Sequence, residues 1–397
     1  MKSIFSRVSK SDYGKIPEIL SRKYQMMALN PFVFFRGSQP LFFDDFFKDD
    51  LSVSSPLSWL CGDMHVENFG SYKGSNGLVY FDLNDFDEAV LAPVHLDIVR
   101  LAVSLILCAR EAKFSSEDLR KIVSIFFQQY AHQIHSLHAQ KMEIKTSRGT
   151  IQQLMKKVAQ RKEKDLLLER TELIKRNRKL QVNAKLLKPE IEQKIRLMEG
   201  LNTWLVQELN GKYKVEDVGF RVAGTGSLGV HRFLYLISKQ NKQEKQWKLI
   251  DVKQSVKPHL TNLTTFSNQA NRIVTAQNLL QDVSPNLLSA LSFEMNWYVV
   301  KEMQPTEDKV SVMELSMRPK KMLRYFEDIA TIAASAHLRS SGKLKSAPAD
   351  DLLEFANELS WQNELTDWSL EYAEKTVDYT LRFSKEWSQS QTNLKNM

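Results

Sequence analysis

Two changes of residue texture divide the chain. From His95 to about Leu209 apolar residues recur at helical spacing, as in "LDIVRLAVSLILCAREA" and "IVSIFFQQYAHQIHSLH". Between about residues 210 and 304, "VEDVGFRVAGTGSLGVHRFLYLIS", "QWKLIDVKQS" and "NWYVVKEMQ" are rich in β-branched and aromatic residues, with glycine or polar turns between them. One helical stretch, "NQANRIVTAQNLLQDV", interrupts them. From about Tyr325 the pattern is helical again. This order predicts an α+β fold with two lobes. A small antiparallel β lobe covers 210–304, and a large helical lobe is assembled from 1–209 and 305–397. The two helical parts can meet because domain termini commonly lie close together. Residues 56–90 read as turns around one short strand, 78–81.

Composition narrows the class. The apolar fraction of 43% argues against disorder. No apolar run approaches the ~20 residues of a transmembrane helix, and "MKSIFSRVSKSDYGKIPEIL" lacks a signal-peptide core. Two cysteines, Cys61 and Cys108, are too few for a disulfide framework or structural zinc site. The expectation is a soluble protein of the cytoplasm, or an effector exported without a cleavable signal. Residues 141–200 hold 17 Lys+Arg against 8 Asp+Glu, a formal +9 within a chain of +8. The plain reading is a solvated face of basic helices. Such a face could also attract nucleic acid, an anionic membrane or an acidic protein.

The acids cluster elsewhere. "GDMHVEN" sets Asp63 five positions before Asn68, and "NDFDEA" brings Asp85 and Asp87 just past the strand. An Asp can accept a proton from a hydroxyl, and Asp with Asn oxygens suit Mg²⁺. Asp82, at the strand end, is expected to face the same cleft as Asn84. Asp87 could hold a second metal or cap the next segment. Glu67 and Glu88 are expected on the surface, and Asp97 reads as a helix N-terminal acid or a structural anchor.

"AGTGSLG" supplies Gly224, Thr225, Gly226, Ser227 and Gly229 in a G-x-G-x-x-G. A dinucleotide turn would need a helix next, but "VHRFLYLI" reads as strand. A glycine-rich hairpin over phosphates fits better, because no Cβ blocks the backbone N–H groups. Lys253, in "WKLIDVK", then lies on the next strand, where it could neutralise phosphate.

Together these stretches resemble a kinase. "GDMHVEN…NDFDEA" is similar to the catalytic loop and metal-binding turn of the aminoglycoside phosphotransferase and choline kinase group. The resemblance implies Asp63 as catalytic Asp, His65, the loop's second His, as a catalytic residue beside it, and Asn68 and Asp85 as metal ligands. Lys253 and Gly224–Gly229 would bind ATP with Mg²⁺. The order is permuted, however. The catalytic loop precedes the glycine-rich turn, and "IAASAHLRSS", like the helix that normally leads into that loop, lies near the C-terminus. A circularly permuted protein-kinase-like fold would account for this. The whole chain also resembles the bacterial family called domain of unknown function 2252, through "NPFVFFRG", "GDMHVENFG", "FDLNDFDEA", "GTGSLGVHRFLYLI", "VKQS", "YVVKEMQ" and "AHLRSSG".

The implied activity is ATP- and Mg²⁺-dependent phosphoryl transfer to a small-molecule or protein hydroxyl. Three departures shape that expectation. Cys61 stands where the phosphotransferases carry His. Asp251 occupies a position that is small in protein kinases. No Glu lies between Gln254 and Phe293 to pair with Lys253. They keep two alternatives in view, nucleotidyl transfer from an inverted nucleotide and a non-catalytic nucleotide-binding pseudokinase. Arg36 is expected to tie acids together, His337 and Arg339 to anchor helix and loop, and the Phe pairs of "PFVFFRGSQPLFFDDFF" to lie in the core.

Overall fold

The computed structural model describes residues 3–395 except 11, 13–16, 50, 176, 223–229, 241–244 and 261–265. It has the α+β architecture expected, with antiparallel sheets and two main cores.

The larger core joins both ends of the chain. Its residues run from Phe32 through the buried helix His95–Glu111 and helix Ser116–His135 to the C-terminal helices Pro319–Ser340 and Ser360–Lys395. Helix Ser116–His135 opens with a capping box, Ser115 with Asp118, which satisfies otherwise orphaned N–H groups. Phe32, Phe34, Phe35, Phe42, Phe43 and Phe46 are buried, but Phe47 is exposed. Their segment forms two short helices, Pro31–Gly37 and Gln39–Phe46.

The β lobe is a six-stranded antiparallel sheet in the order Ser289–Phe293, Asn296–Glu302, Lys245–Gln254, Arg232–Gln240, Lys214–Arg221 and Leu186–Leu187. Side chains alternate across it. Phe233, Ile250, Val252 and Val300 face the helix Ile191–Leu209. Leu234, Leu236 and Leu249 face the opposite way, onto Leu180 and Leu186. The same alternation puts Arg232, Asp251, Lys253 and Lys301 on that second face, at its open end. Helix Ile191–Leu209, grouped with the helical lobe from its periodicity, thus packs in the β-lobe core.

Two local readings need correction. Residues 57–93 contain four strands: Leu57–Leu60 pairs with Val90–Pro93, and Phe69–Lys73 with Val79–Leu83. These strands are only four or five residues long and buried on both faces, so they lack the in–out alternation that marks a half-buried strand. The basic stretch is not helical throughout. It contains a hairpin, Thr171–Ile174 with Asn177–Leu180, which turns at Lys175 with φ of 53°. Leu166, Leu173, Leu180 and Leu187 recur every seven residues, a helical spacing that hides the hairpin. Among the described residues no helix is long and apolar enough to cross a membrane.

Candidate functional site

The site is a cleft between the β lobe and the loops around residues 61–89. Behind the cleft, Asp97, near the start of the buried helix, anchors the loop that carries Asp63. The fully buried Asp97 carboxyl accepts from the backbone N–H groups of Cys61 and Gly62, at 2.9 and 3.0 Å. His337 Nε2 lies 3.6 Å from the same carboxyl, and Nδ1 is 2.8 Å from the Tyr130 hydroxyl. Gly62 has φ of 76°, and a Cβ there would meet the Glu88 carbonyl oxygen at 1.9 Å. Only glycine allows the loop at residues 61–69 to lie this close to the acidic turn.

Asn68 fastens the same loop to that turn. Its Nδ2 donates to the carbonyls of Asp63 and Asp85, at 3.0 and 3.2 Å, and its Oδ1 accepts from Asp85 N at 2.7 Å. Nδ2 also points at Cys61 Sγ, 3.7 Å away. Cys61 is therefore a buried acceptor under the loop. Burial raises its thiol well above the ordinary range, so it is a packing group and not a thiolate.

Asp63 faces the cleft. Arg100 Nε donates to Asp63 Oδ1 at 2.6 Å. The guanidinium is wholly buried, 4.3 Å from the Phe35 ring centroid, and also donates to Phe35 O. Among the described residues nothing hydrogen-bonds Asp63 Oδ2. Burial raises the Asp63 carboxyl above its usual value, against the pull of Arg100. His65 is buried beside it, with Nε2 3.2 Å from Arg36 Nε and Nδ1 3.1 Å from Glu67 N. A neutral imidazole accepts at only one of these nitrogens. Burial, with Arg36, Arg100 and Lys309 nearby, keeps its pKa well below the usual value, so it is uncharged at neutral pH.

The acidic turn meets the β lobe through Lys253. Its ammonium pairs with Asp87 and lies 3.9 Å from Asp85 Oδ1. Desolvation opposes ionisation of Asp85, but Lys253, the Asp87 N–H, Arg232 and Lys301 together hold that carboxyl low. Asp87 is raised by burial and by Asp85 beside it. Burial disfavours the Lys253 ammonium, yet the two acids raise its pKa overall. The cleft measures about 250 Å³, small for a nucleotide-sized ligand, and the Lys253–Asp87 pair lies in it.

Asp251 does not neutralise Lys253. It is clamped by Arg232, through Nε at 2.9 Å and Nη2 at 2.6 Å, and by Arg221 at 2.6 Å. Burial notwithstanding, these guanidiniums hold its carboxyl far below the usual range. On the opposite wall Arg36 and Lys309 share Glu67, so Arg36 holds one acid and His65 rather than tying several acids together. Lys301 pairs with Glu307 at 3.0 Å. Glu67 is thus enclosed, not surface-exposed. Glu88 is enclosed too, accepting from His259 N at 2.7 Å, and burial pushes its carboxyl up to about 7. Asp82 turns away from the cleft to Arg339, 2.8 Å distant. Arg339 also holds the carbonyls of Leu280 and Gln140.

Sequence reasoning missed Arg272. It lies on the helix Gln269–Leu280, which follows the Lys253 strand, and is 1% exposed. It donates to the carbonyls of Ala89, Asp87 and Val256. An Arg among "NQANRIV" gives no signal of that reach. Gln277, on the same helix, lines the cleft, but its amide donates to Gln281. Gly224, Thr225, Gly226, Ser227 and Gly229 lie outside the described residues.

The same chain order appears in a family of bacterial sequences, described as "Uncharacterized protein conserved in bacteria (DUF2252)", which matches residues 15–384. The chain belongs to this family. The match takes in the loop at residues 61–69, the acidic turn, the Lys253 strand and Arg272, so the whole cleft lies within the family region. No curated protein and no solved structure matches the chain.

Proposed function

We propose that this member of the family is an ATP- and Mg²⁺-dependent phosphotransferase with a circularly permuted, protein-kinase-like fold, acting on a hydroxyl acceptor. One observation carries the reading. Lys253 meets Asp87 and Asp85 in the same cleft as Asp63, although about 170 residues separate the two halves in sequence. Strand order supports it. Lys253 lies on the third long strand of the β lobe, after the glycine-rich connection, and a helix follows, as in kinases. The shared core of N- and C-terminal helices supplies the close termini that a permutation needs.

The donor set suits magnesium. Among the described residues no three His, Cys, Asp or Glu side chains form a ready metal cluster. Mg²⁺ uses one or two carboxylates and completes its shell with phosphate and water. Asp85 and Asp87 would hold it, with Asn68 Oδ1 offering its second lone pair. Bound with the triphosphate, Mg²⁺ would neutralise charge on the phosphate oxygens. Lys253 would then exchange Asp87 for phosphate. Arg100 holds Asp63 by Oδ1, which leaves Oδ2 to accept the acceptor's hydroxyl proton. Burial makes that carboxyl a stronger base than a free Asp. His65 braces the loop. ATP turnover should fall by about 100-fold or more in Asp63→Asn; undiminished turnover would remove Asp63 from this role.

A second reading, nucleotidyl transfer from an inverted nucleotide, has one specific observation behind it. Arg221 and Arg232 share a single acid, Asp251, on the cleft wall beyond Lys253. Excess positive charge there suits phosphate better than adenine. Product identity separates the readings: phosphoryl transfer releases ADP, nucleotidyl transfer releases pyrophosphate.

A further inference from the structure

The segment around the hairpin Thr171–Ile174 and Asn177–Leu180 combines two properties rarely found together on a surface. It is strongly cationic, and it leaves Leu168, Leu173, Ile174, Leu187, Ile191 and Ile195 exposed. The hairpin is seated mainly at its base, and near the tip Asn177 Oδ1 accepts from Lys245 Nζ at 3.3 Å. Thr171 and Leu180 are buried, Leu180 within the leucine cluster of the sheet, while Leu173 is 65% exposed near the tip. The helix Glu163–Arg170 that leads into it buries no side chain fully. Lys175 follows Ile174 at the turn and Lys179 sits across the hairpin from Glu172, and both lysines are exposed. Among the described residues neither forms an ion pair. Lys175 stands at positive φ, which turns the chain at the tip.

The chemistry selects one partner class. Residues 141–200 contain no Phe, Tyr or Trp, although the chain has 21, 11 and 7 of them. A nucleic-acid surface built for single strands uses aromatic stacking, and none is available here. A second copy of the chain would set like charge against like. An anionic bilayer answers both properties: phosphates attract the lysines, and aliphatic side chains enter the headgroup boundary. We propose that this hairpin docks the protein on an anionic phospholipid surface, with Leu173 and Ile174 inserted and Lys175 and Lys179 at the phosphates. The inference is independent of the cleft's chemistry.

Sedimentation of the full chain with phosphatidylcholine vesicles, with and without phosphatidylglycerol, tests it. Binding should require phosphatidylglycerol and weaken as salt rises. Reversing both lysines, Lys175→Glu with Lys179→Glu, should weaken it by about tenfold or more. Leu173→Ser with Ile174→Ser should weaken it by about tenfold while leaving the unfolding temperature unchanged, because both side chains are exposed. Equal binding to both vesicle types would overturn the proposal. So would wild-type binding by the serine variant, which would reduce the contact to charge alone. Tight binding to a single-stranded oligonucleotide that competes with vesicles, and that the serine changes do not affect, would reassign the surface to nucleic acid.

Discussion

Two acidic clusters lie within the same few residues of chain, and they are built in opposite ways. Asp97 is sealed from solvent, and its carboxyl serves two backbone N–H groups. Asp85 and Asp87 are partly open, and a movable lysine side chain from the other lobe neutralises them. Backbone donors cannot leave without unfolding the loop, whereas a lysine can change partners when a ligand arrives. The first cluster therefore reads as architecture and the second as a site held in waiting by its own counter-charges. The cleft repeats the second pattern with Arg232–Asp251, Lys301–Glu307 and Arg36–Glu67.

Substitutions can break that contrast. Asp97→Ala strands two buried N–H groups and the groups packed on the carboxyl, and should cost about 3–5 kcal/mol in urea unfolding. Arg272→Met orphans three backbone carbonyls that join the helix to the acidic turn, and should cost about 2–3 kcal/mol by the same measurement. Asp85→Ala should change stability by no more than about 0.5 kcal/mol while abolishing Mg²⁺-dependent nucleotide binding. A large loss of stability in Asp85→Ala would erase the distinction between the two clusters.

Glu88 sharpens the comparison through pH. Unfolded, it titrates near its ordinary 4.5; folded, burial pushes it up to about 7. Between these values the fold holds the extra proton, so the Glu88 contribution is full below about 4.5 and is lost as pH rises to about 7. Glu88→Gln should flatten the unfolding temperature against pH across that window. An unchanged slope would show that Glu88 is not the titrating group.

Much of the site was legible because its motifs are local. "GDMHVEN", "NDFDEA" and "LIDVK" each place polar residues at fixed offsets from a strand or turn, and the alternation of "LIDVK" puts Asp251 and Lys253 on one face. Partners that come from elsewhere in the fold were not legible. Nothing local says that Arg232, across the sheet, would take Asp251, or that Arg272 would reach the carbonyls of Asp87 and Ala89. The enclosure of Glu67 and Glu88 likewise depends on segments far away in sequence. The hairpin at 171–180 was hidden because its two leucines fall seven residues apart, in helical series with Leu166 and Leu187.

The central claim is that the cleft exchanges its internal Lys253–Asp87 pair for a magnesium-bound triphosphate. Calorimetric titration with a non-hydrolysable ATP analogue, with and without Mg²⁺, tests it most directly on the wild type and on Lys253→Met. Binding should appear with Mg²⁺, weaken sharply without it, and be lost in Lys253→Met. Absence of binding by the wild type, or Mg²⁺-independent binding that survives Lys253→Met, would contradict the account.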